Sequence, residues 1–400
     1  NPKQVTGMPE TMTSRERMLA ALGCAEVDYV PCSFMIFSAL RERYGSDEEF
    51  VRRQVAMGLD PCVATASWAS ARNLQHRDLP GIDLRYPPGV QVRQWRESRP
   101  DAPDLLHKEY HTPDGVLKTE VLETDDWPYP GHVPLFDDYL VPRAVKFPVE
   151  GPGDLPALRH LLAPPHPDDV AAFHEGAANA RRLADELGLL LTGGMGVGIE
   201  AGAWLCGQEE LVYHAVDRPE MVEELAEIIH EWNAARMREV LAMGVDLFLR
   251  RAWYEGTDFW SPPMYRRFVL PFLKREVELA HEAGARFAYI NTTGTIGILQ
   301  MLLEAGVDVV IGIDPVQGVG TDMAQMRRMV GNRMALWGGV NGFVTVELGS
   351  DEEIREAVRL ALEELGPRGL ILSPVDNIRD TSEQTMRRVE VFIDAWRQMR

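Results

Sequence analysis

Residues 282–293 read EAGARFAYINTT, and residues 304–314 read EAGVDVVIGID. In both stretches a helix-like segment ends at a glycine, Gly284 or Gly306, and a short apolar run follows. Glycine suits the left-handed position just after a helix C-terminus, and such a run suits a strand buried on both faces of a parallel sheet. The same pattern occurs at five further glycines, Gly58, Gly188, Gly244, Gly331 and Gly366. A repeated helix-to-strand crossover is therefore predicted.

Eight strands are predicted from these runs and from VPCSFMIF near the N-terminus. They cover residues 30–37, 61–67, 189–195, 246–252, 286–291, 308–313, 334–338 and 370–375. Apolar spacing predicts helices between most of them, over residues 167–187, 208–214, 218–243, 262–283, 295–305, 320–330, 351–365 and 380–398. Eight alternating strands favour an α/β fold of the (β/α)8 TIM-barrel type, with a doubly wound open sheet as the alternative. A barrel would have its active site in the loops after the strand C-termini.

Residues 72–165 interrupt the alternation with a stretch rich in proline, tryptophan, tyrosine and charge. Within it, HKEYHTPDGVLKTEVLE predicts a β-hairpin that turns at residues 113–115. An insertion after strand 2 would lie at the C-terminal face of the barrel and roof the site. We therefore interpret residues 1–400 as a single barrel domain and residues 72–165 as a cap insertion.

The composition limits the classes of partner. The chain has 41 basic and 61 acidic residues, a formal charge of -20 and a pI near 5.0. This balance argues against nonspecific binding to nucleic acid or to an anionic membrane. No apolar stretch approaches the roughly 20 residues of a membrane span, and the N-terminal segment lacks the apolar core of a signal peptide. A cytoplasmic protein is expected.

Acidic, amide and aromatic side chains predominate where the predicted strands end. This mixture is typical of a pocket that binds an organic ligand through a few fixed polar contacts. The aromatic residues could stack on a flat ring or hold a cationic methyl donor, although barrel packing accounts for such residues equally well. The residues singled out are Phe34, Trp68, Trp253, Tyr254, Glu255, Asp258, Trp260, Tyr289, Asn291, Asp314, Gln317, Trp337, Asn341, Asp376 and Asn377.

Several carboxylates in this set have competing interpretations. Glu255 could transfer protons or hold a divalent cation together with Asp258, but Asp258 could equally complement the dipole of the helix that follows. Asp314 precedes a proline and could form an Asx turn. Asp376 ends the last strand, where an acid is costly unless it is paired, hydrogen bonded or used. We therefore favour Glu255 and Asp376 as functional acids.

Two other common kinds of site are disfavoured. The run GGMGVGIEAG over residues 193–202 has the wrong spacing for a dinucleotide loop, and close approach of its backbone to a flat ligand is the better interpretation. No histidine falls at the end of a predicted strand, and the four cysteines form no CxxC pair. A zinc site built from histidine and cysteine is therefore not supported.

From about Ser14 to the C-terminus the chain resembles the uroporphyrinogen decarboxylase superfamily. The resemblance rests on SRERMLAAL with VDYVP, TPDGVLKTE, FWSPPMYRRFVLPFLKREVELAHEAGA, LLEAGVDVVIGIDPVQ, ALWGGVNGFVTVELGSDEEIREAV and GPRGLILSPVDNI. It implies a (β/α)8 barrel and one of two chemistries. One is decarboxylation of the acetate arms of uroporphyrinogen without a cofactor, and the other is methyl transfer between small methylated compounds, corrinoids and thiols.

The chain departs from both branches of that superfamily. Where the decarboxylases have an arginine-rich segment of the type RQAGRY, this chain has PCSFMIFSALRERYG, with only Arg41 and Arg43 nearby. The zinc ligands of the methyltransferases, a His-x-Cys pair and a later Cys, correspond to Tyr289, Asn291 and Asp376. The chain therefore lacks the arginines expected to bind a substrate with eight carboxylates. It also lacks the thiolates expected to hold a zinc ion.

The leading hypothesis is a corrinoid-linked methyltransferase that demethylates a small donor, either a methoxylated aromatic or an N-methylated compound. Glu255, Tyr289 and Asp376 are the predicted catalytic residues, and if a divalent metal such as zinc is bound, Glu255 and Asp376 would hold it. Predicted substrate-binding residues are Phe34, Trp68, Trp253, Tyr254, Asn291, Asp314, Gln317, Trp337, Asn341 and Asn377.

The methyl acceptor would be a corrinoid (cobalamin) on a separate protein, because no DxHxxG loop occurs in this chain. The resemblance also allows a homodimer. The alternatives are a cofactor-free decarboxylase of the uroporphyrinogen type and a non-catalytic relative that binds a tetrapyrrole or corrinoid.

Overall fold

The computed structural model describes residues 11–65, 82, 85–318 and 320–400. These residues form eleven strands: β1 (Cys62–Ala64), β2 (Gln91–Glu97), β3 (Asp104–Thr112), β4 (Gly115–Glu123), β5 (Ala144–Lys146), β6 (Leu190–Gly196), β7 (Leu247–Arg251), β8 (Arg286–Ile290), β9 (Val309–Ile313), β10 (Ala335–Asn341) and β11 (Leu370–Val375). Seven strands form a parallel sheet in the order β1-β6-β7-β8-β9-β10-β11. All seven coincide with predicted strands.

The eighth predicted strand, residues 30–37, closes this sheet into a ring. Cys32 forms a parallel bridge with Leu372 of β11. On the other side, the Cys32 carbonyl accepts a hydrogen bond of 2.8 Å from the amide of Asp60, just before β1. The two edges of the sheet are thereby joined through one segment, and the predicted (β/α)8 barrel fold is confirmed.

The closing segment makes isolated bridges in place of a regular strand. Pro31 and Pro374 lie on the two paired segments, and neither has an N–H to donate to a ladder. The amide of Met35 instead donates to the Oγ of Ser373 at 2.8 Å. This substitution of a side-chain acceptor for a backbone carbonyl explains why the predicted strand is irregular.

Helices surround the barrel: α1 (Ser14–Leu22), α2 (Ser38–Arg41), α3 (Asp47–Ala56), α4 (Leu155–Leu161), α5 (Pro167–Leu187), α6 (Ala201–Cys206), α7 (Gln208–Asp217), α8 (Pro219–Leu241), α9 (Pro262–Phe268), α10 (Leu270–Glu282), α11 (Leu299–Ala305), α12 (Met323–Val330), α13 (Asp351–Leu365) and α14 (Glu383–Met399). The predicted helix over 262–283 is split at Val269, because Pro271 cannot donate a hydrogen bond to the carbonyl of Arg267. In the described part of the chain, no helix has the length and hydropathy of a membrane span.

Side-chain alternation along the strands separates two apolar clusters. The inner cluster fills the lower part of the barrel and includes Leu190, Leu247, Ala288, Val309, Trp337 and Ile371. Side chains at intervening positions, such as Phe248, Phe287 and Leu336, belong to the larger cluster that packs against the helices. The position of a residue within its strand therefore decides whether it faces the barrel lumen or the helix layer.

A second, antiparallel sheet of order β2-β3-β4-β5 lies within the predicted insertion. The β3–β4 hairpin turns where the sequence predicts, with Thr112 opposite Gly115. The sequence analysis missed β2, whose residues are all exposed and so show no apolar alternation, and it also missed β5 and α4. Asp138 of the insertion contacts Arg251 at the end of β7, 3.0 Å away. The boundaries of the cap and the single-domain assignment remain predictions.

Candidate active site

A buried ion network lies on the helix-facing side of β7 and β8. Arg250 of β7 donates from Nη1 and Nη2 to the carboxylate of Glu255 at 2.7 and 3.0 Å. Its Nε lies 2.7 Å from Oε2 of Glu276 on α10. All three residues are at most 1% exposed. One guanidinium thus joins the strand, the loop after it and a helix.

Glu255 and Tyr289, two of the predicted catalytic residues, belong to this network. Tyr289 donates its hydroxyl proton to Oε2 of Glu255 at 2.7 Å, and Tyr265 of α9 donates to the oxygen of Tyr289 at 3.0 Å. Burial raises the pKa of Tyr289 well above its ordinary value, so the phenol stays neutral. The hydrogen-bonding groups of both predicted residues are engaged by the protein itself, and both residues are 0% exposed.

The glycine run after β6 is explained by the same network. A Cβ atom at Gly198 would lie 1.5 Å from Nη2 of Arg250 and 2.5 Å from Oε1 of Glu255. A side chain is therefore excluded at Gly198. At Gly198, the close backbone approach predicted from GGMGVGIEAG is made to a buried ion pair.

A second charged cluster joins the insertion to the barrel around Arg251. Its Nε lies 2.7 Å from Oε1 of Glu200, and its Nη2 donates to Asp138 at 3.0 Å. The guanidinium also lies 4.6 Å from the ring centres of both Trp204 and Trp253. Burial raises the pKa of Glu200 to about 7, which Arg251 partly opposes.

Trp253 and Tyr254 are thereby placed at this contact between cap and barrel. The amide of Tyr254 lies 3.4 Å from Oε2 of Glu200 and donates to it. Burial and the neighbouring Asp138 raise the pKa of Tyr254 above its ordinary value, so its hydroxyl remains neutral. These two predicted substrate-binding residues hold the insertion, and they do not line the cavity described next.

A cavity of about 690 Å³ extends from the barrel lumen to the space between α3 and α5. Of the predicted substrate-binding residues that the structure describes, Phe34 and Trp337 line it. The indole of Trp337 is fixed by a 2.8 Å hydrogen bond to the carbonyl of Ser33. Phe34 packs against Phe37, with ring centres 4.7 Å apart. The volume lies in the range of small-molecule sites.

The cavity has an uncharged inner end and a polar outer end. The inner end lies in the lumen, and its lining residues include Met35, Cys62, Thr192, Leu249, Ile290, Ile311 and Trp337. The charged lining residues Arg41, Asp47, Glu48 and Asp169 all come from α2, α3 and α5. Arg41 pairs with Asp47 at 2.8 Å, and Asp169 pairs with Arg85 at 2.8 Å. The outer charges are thus largely compensated.

Amide and acid side chains at the ends of β9 and β10 bind one another. Asp314 accepts from the amides of Val316 and Gln317 at 2.8 and 3.0 Å, which is the Asx turn that the sequence left as an alternative. Asn341 donates to both Asp314 and Gln317, at 2.7 and 2.8 Å. The three predicted substrate-binding residues Asp314, Gln317 and Asn341 are brought together, but largely by mutual hydrogen bonds.

Asp376, at the end of β11, is the predicted acid that remains least engaged. Its side chain is 49% exposed and lies 3.4 Å from Arg379. Its φ of 68° lies in the left-handed region, which is uncommon for residues other than glycine and frequent at functional sites. Burial raises its pKa, Arg379 opposes this shift, and Asp314 adds to it.

The structure gives Asn377 and Asn291 positioning contacts. Asn377 pairs with the closing segment, accepting from the amide of Ser38 at 3.1 Å and donating to its Oγ at 3.0 Å. Asn291 is 0% exposed and donates to the carbonyl of Ala252 at 2.8 Å. Trp68, the remaining predicted residue, lies outside the described residues.

The family model described as uroporphyrinogen decarboxylase (URO-D) matches residues 147–398. The chain belongs to this family. The resemblance read from the sequence is thus confirmed, and within the uroporphyrinogen decarboxylase family this chain lacks both the arginine-rich segment and the His-x-Cys zinc pair. A search of curated proteins gives no match.

Solved structures agree with the fold of the family. A methyltransferase from Methanosarcina mazei is 16% identical, with a TM-score of 0.58 over 97% of this chain and 99% of that chain. A B12-independent methionine synthase from Shewanella sp. W3-18-1 is 12% identical, with a TM-score of 0.49 over 93% of this chain and 97% of that chain. At these identities the first similarity supports the barrel architecture.

The two residues predicted to hold a metal, if one is bound, lie on different parts of the barrel. Glu255 faces the helix layer beside β7, whereas Asp376 follows β11, four strands further along the sheet. The structure therefore does not bring these two carboxylates together. Over the described ranges, no group of three or more histidine, cysteine, aspartate or glutamate side chains is arranged to hold a metal ion.

Two residues that matter here were missed from the sequence. Arg250 and Arg251 are adjacent basic residues at the end of a buried strand, and this costly placement was a usable signal.

Glu255→Gln is expected to lower the free energy of unfolding by about 3 kcal/mol, because the buried Arg250 loses part of its counter-charge. Urea denaturation measures this change. Glu48→Gln, which removes one partner of an exposed pair with Arg52, serves as the control and should leave stability unchanged. Lost activity at unchanged stability would contradict the structural role and support the predicted catalytic one.

Glu200 should make the protein less stable as the pH rises. The folded state holds its proton up to about pH 7, whereas the unfolded chain releases it near 4.5. The folded state therefore binds more protons in this window, and the unfolding free energy falls by at most about 1.4 kcal/mol per pH unit.

Glu200→Gln should flatten this decrease in urea melts between pH 5 and 8. Glu390→Gln, at an exposed position, should retain the wild-type slope. Identical slopes in the wild type and Glu200→Gln would contradict the assignment.

Proposed function

We propose that this member of the uroporphyrinogen decarboxylase family is a methyltransferase. In this proposal a small methoxylated aromatic or N-methylated donor binds in the lumen cavity, and its methyl group passes to a corrinoid on a separate protein. The observation that carries the proposal is the cavity itself, which has an apolar, uncharged inner end and largely paired charges outside. Such a lining suits a small donor with little net charge.

The cavity is a poor match for uroporphyrinogen. A substrate with eight carboxylates requires several cations, and arginine is the residue best suited to bind them. Among the described residues, Arg41 is the one arginine or lysine that lines the cavity, and it already pairs with Asp47. The match of the family model to decarboxylases nevertheless keeps decarboxylation as the second candidate function.

Asp376 is the proposed acid. Its raised pKa keeps the carboxyl protonated to a higher pH than usual. Asp376 does not itself line the cavity, but the next residue, Asn377, bridges to Ile36, which does. When the bond between the methyl carbon and the donor atom breaks, the electron pair passes to that atom. For an ether donor, the leaving oxygen then takes the proton of Asp376.

The acceptor would approach from the same end of the barrel. A reduced corrinoid supplies the electron pair that forms the new bond to the methyl carbon. Four apolar side chains after β9 and β10 are between 40% and 61% exposed. Val316 lies in the loop after β9, Phe343 and Val344 lie in the π-helical segment Gly342–Glu347 after β10, and Leu348 follows that segment. Exposed apolar residues of this kind support the docking of a partner protein. No metal step is proposed, because the described donor set does not fit a zinc ion.

The proposal predicts that the protein, mixed with anisole-type donors and reduced cobalamin, yields methylated cobalamin and a phenol, followed by absorbance and chromatography. Asp376→Asn should lower kcat at least about 100-fold, the usual contribution of a general acid. The wild-type rate should fall as the pH rises through the pKa of Asp376, because the proton is then absent. Asp101→Asn, at an exposed position, is the control.

Full activity of Asp376→Asn would refute the role of this acid. Release of carbon dioxide from a carboxylated substrate without corrinoid would favour the decarboxylase. Binding of a corrinoid or tetrapyrrole without any turnover would favour the non-catalytic relative.

A further inference from the structure

We infer that Gln54 of α3 determines substrate specificity at the outer end of the cavity, where its carboxamide binds a neutral amide on the non-reacting part of the donor. The inference rests on the proposed function and narrows it. The methyl-bearing end of the donor lies in the lumen, and the donor also carries a neutral group that both donates and accepts a hydrogen bond.

The cavity is larger than a single-ring donor requires. Its volume of about 690 Å³ lies in the range of sites that enclose drug-sized ligands, and it continues from the lumen into the space between α3 and α5. A single ring bound in the lumen would leave this outer space empty. The outer space is therefore available to a further part of the same ligand.

One side of α3 forms a wall of this outer space. Asp47, Phe50, Val51 and Gln54 all line the cavity. Their spacing of three, four and seven residues from Asp47 places them on one face of the helix. Val51 and Gln54 are the buried members of this face. The side chain of Gln54 thus lies on the helix face that borders the cavity.

The carboxamide of Gln54 is unpaired. Gln54 is 4% exposed, yet within the described residues neither of its carboxamide atoms has a hydrogen-bond partner. Neither atom is fully enclosed by protein, so both can be reached from the cavity. Buried polar groups are nearly always paired, so an unpaired carboxamide in a cavity wall calls for a partner. A ligand in the outer space would supply it.

A carboxamide recognises another amide at two points. Its NH2 group donates and its oxygen accepts, and a primary amide offers the matching acceptor and donor. A ketone or a carboxylate can only accept, so either would leave the oxygen of Gln54 unpaired. Phe50, Val51, Phe173 and Leu183 also line the outer space, and their apolar surfaces suit the carbon atoms that connect such an amide to a ring.

The charges of the outer end disfavour a carboxylate on the ligand. Asp47, Glu48 and Asp169 line this end, and each pairs with an arginine at 2.8 Å. A carboxylate ligand would lose hydration and approach these three acids without an unpaired cation among the described lining residues to balance it. A neutral amide avoids this cost.

Three matched probes test the inference: 3-(4-methoxyphenyl)propanamide, the ketone in which a methyl group replaces its NH2, and the corresponding carboxylate. Their affinities are measured at pH 7 by calorimetry or by tryptophan fluorescence. The wild type should bind the amide about 10-fold more tightly than the ketone, the effect of one hydrogen bond. It should bind the carboxylate most weakly.

Gln54→Met keeps the length of the side chain and removes both polar atoms. It should abolish the preference for the amide over the ketone without lowering Tm, because an unpaired buried group is lost. Gln300→Met changes an exposed glutamine of α11 that lies outside the cavity, and it should retain the preference.

Equal wild-type affinities for the amide and the ketone would overturn the inference, and so would tighter binding of the carboxylate. An unchanged preference in Gln54→Met would do the same. The binding test needs no corrinoid, so it is separate from the methyl-transfer assay. The expected binding pattern without methyl transfer would refute only the proposed function, and methyl transfer without the pattern would refute only the role of Gln54.

Discussion

Closure of the parallel sheet is the constraint on which the rest of the structure depends. Seven strands leave two open edges, and one short segment joins them by bonding to β11 on one side and to the chain before β1 on the other. The same segment supplies Ser33, Phe34 and Met35 to the cavity wall. The segment that closes the barrel therefore also shapes the cavity, because its residues both hydrogen-bond to the two sheet edges and line the cavity wall.

Side-chain alternation in the closed barrel then separates two kinds of chemistry. Arg250 points into the helix layer, where Glu255 and Glu276 neutralise it and anchor β7 to α10. The next residue, Arg251, lies on the other side and binds Asp138 of the insertion as well as Glu200. The charged side chains around β7 thus anchor this strand to its neighbours. The described residues that line the inner end of the cavity are uncharged. That separation is what favours a neutral substrate.

The sequence predicted the fold well because helix-to-strand crossovers leave local signals. Gly188 and Gly306, which follow helices, adopt left-handed conformations as expected. At Gly366 the expectation was wrong, because this residue has an extended backbone with a φ of -87°. The cap strand β2 escaped detection because its residues are exposed on both faces. The helix break at Val269 could have been predicted from Pro271 alone.

The candidate site was predicted less well, for a geometric reason. The position of a residue after a strand gives the end of the barrel where it lies but not the direction of its side chain. Tyr289 and Glu255 lie where a site residue would lie in sequence, yet both face the helices. Trp337 does line the cavity, and a tryptophan in a buried strand is conspicuous in the sequence.

The central claim is that the barrel lumen is the substrate site. Crystals soaked with 4-bromoanisole would locate the ligand directly by the anomalous signal of bromine. The account predicts a peak in the inner cavity, with the ring against Trp337. A peak beside Arg251 and Glu200, or peaks only on the outer surface, would contradict it.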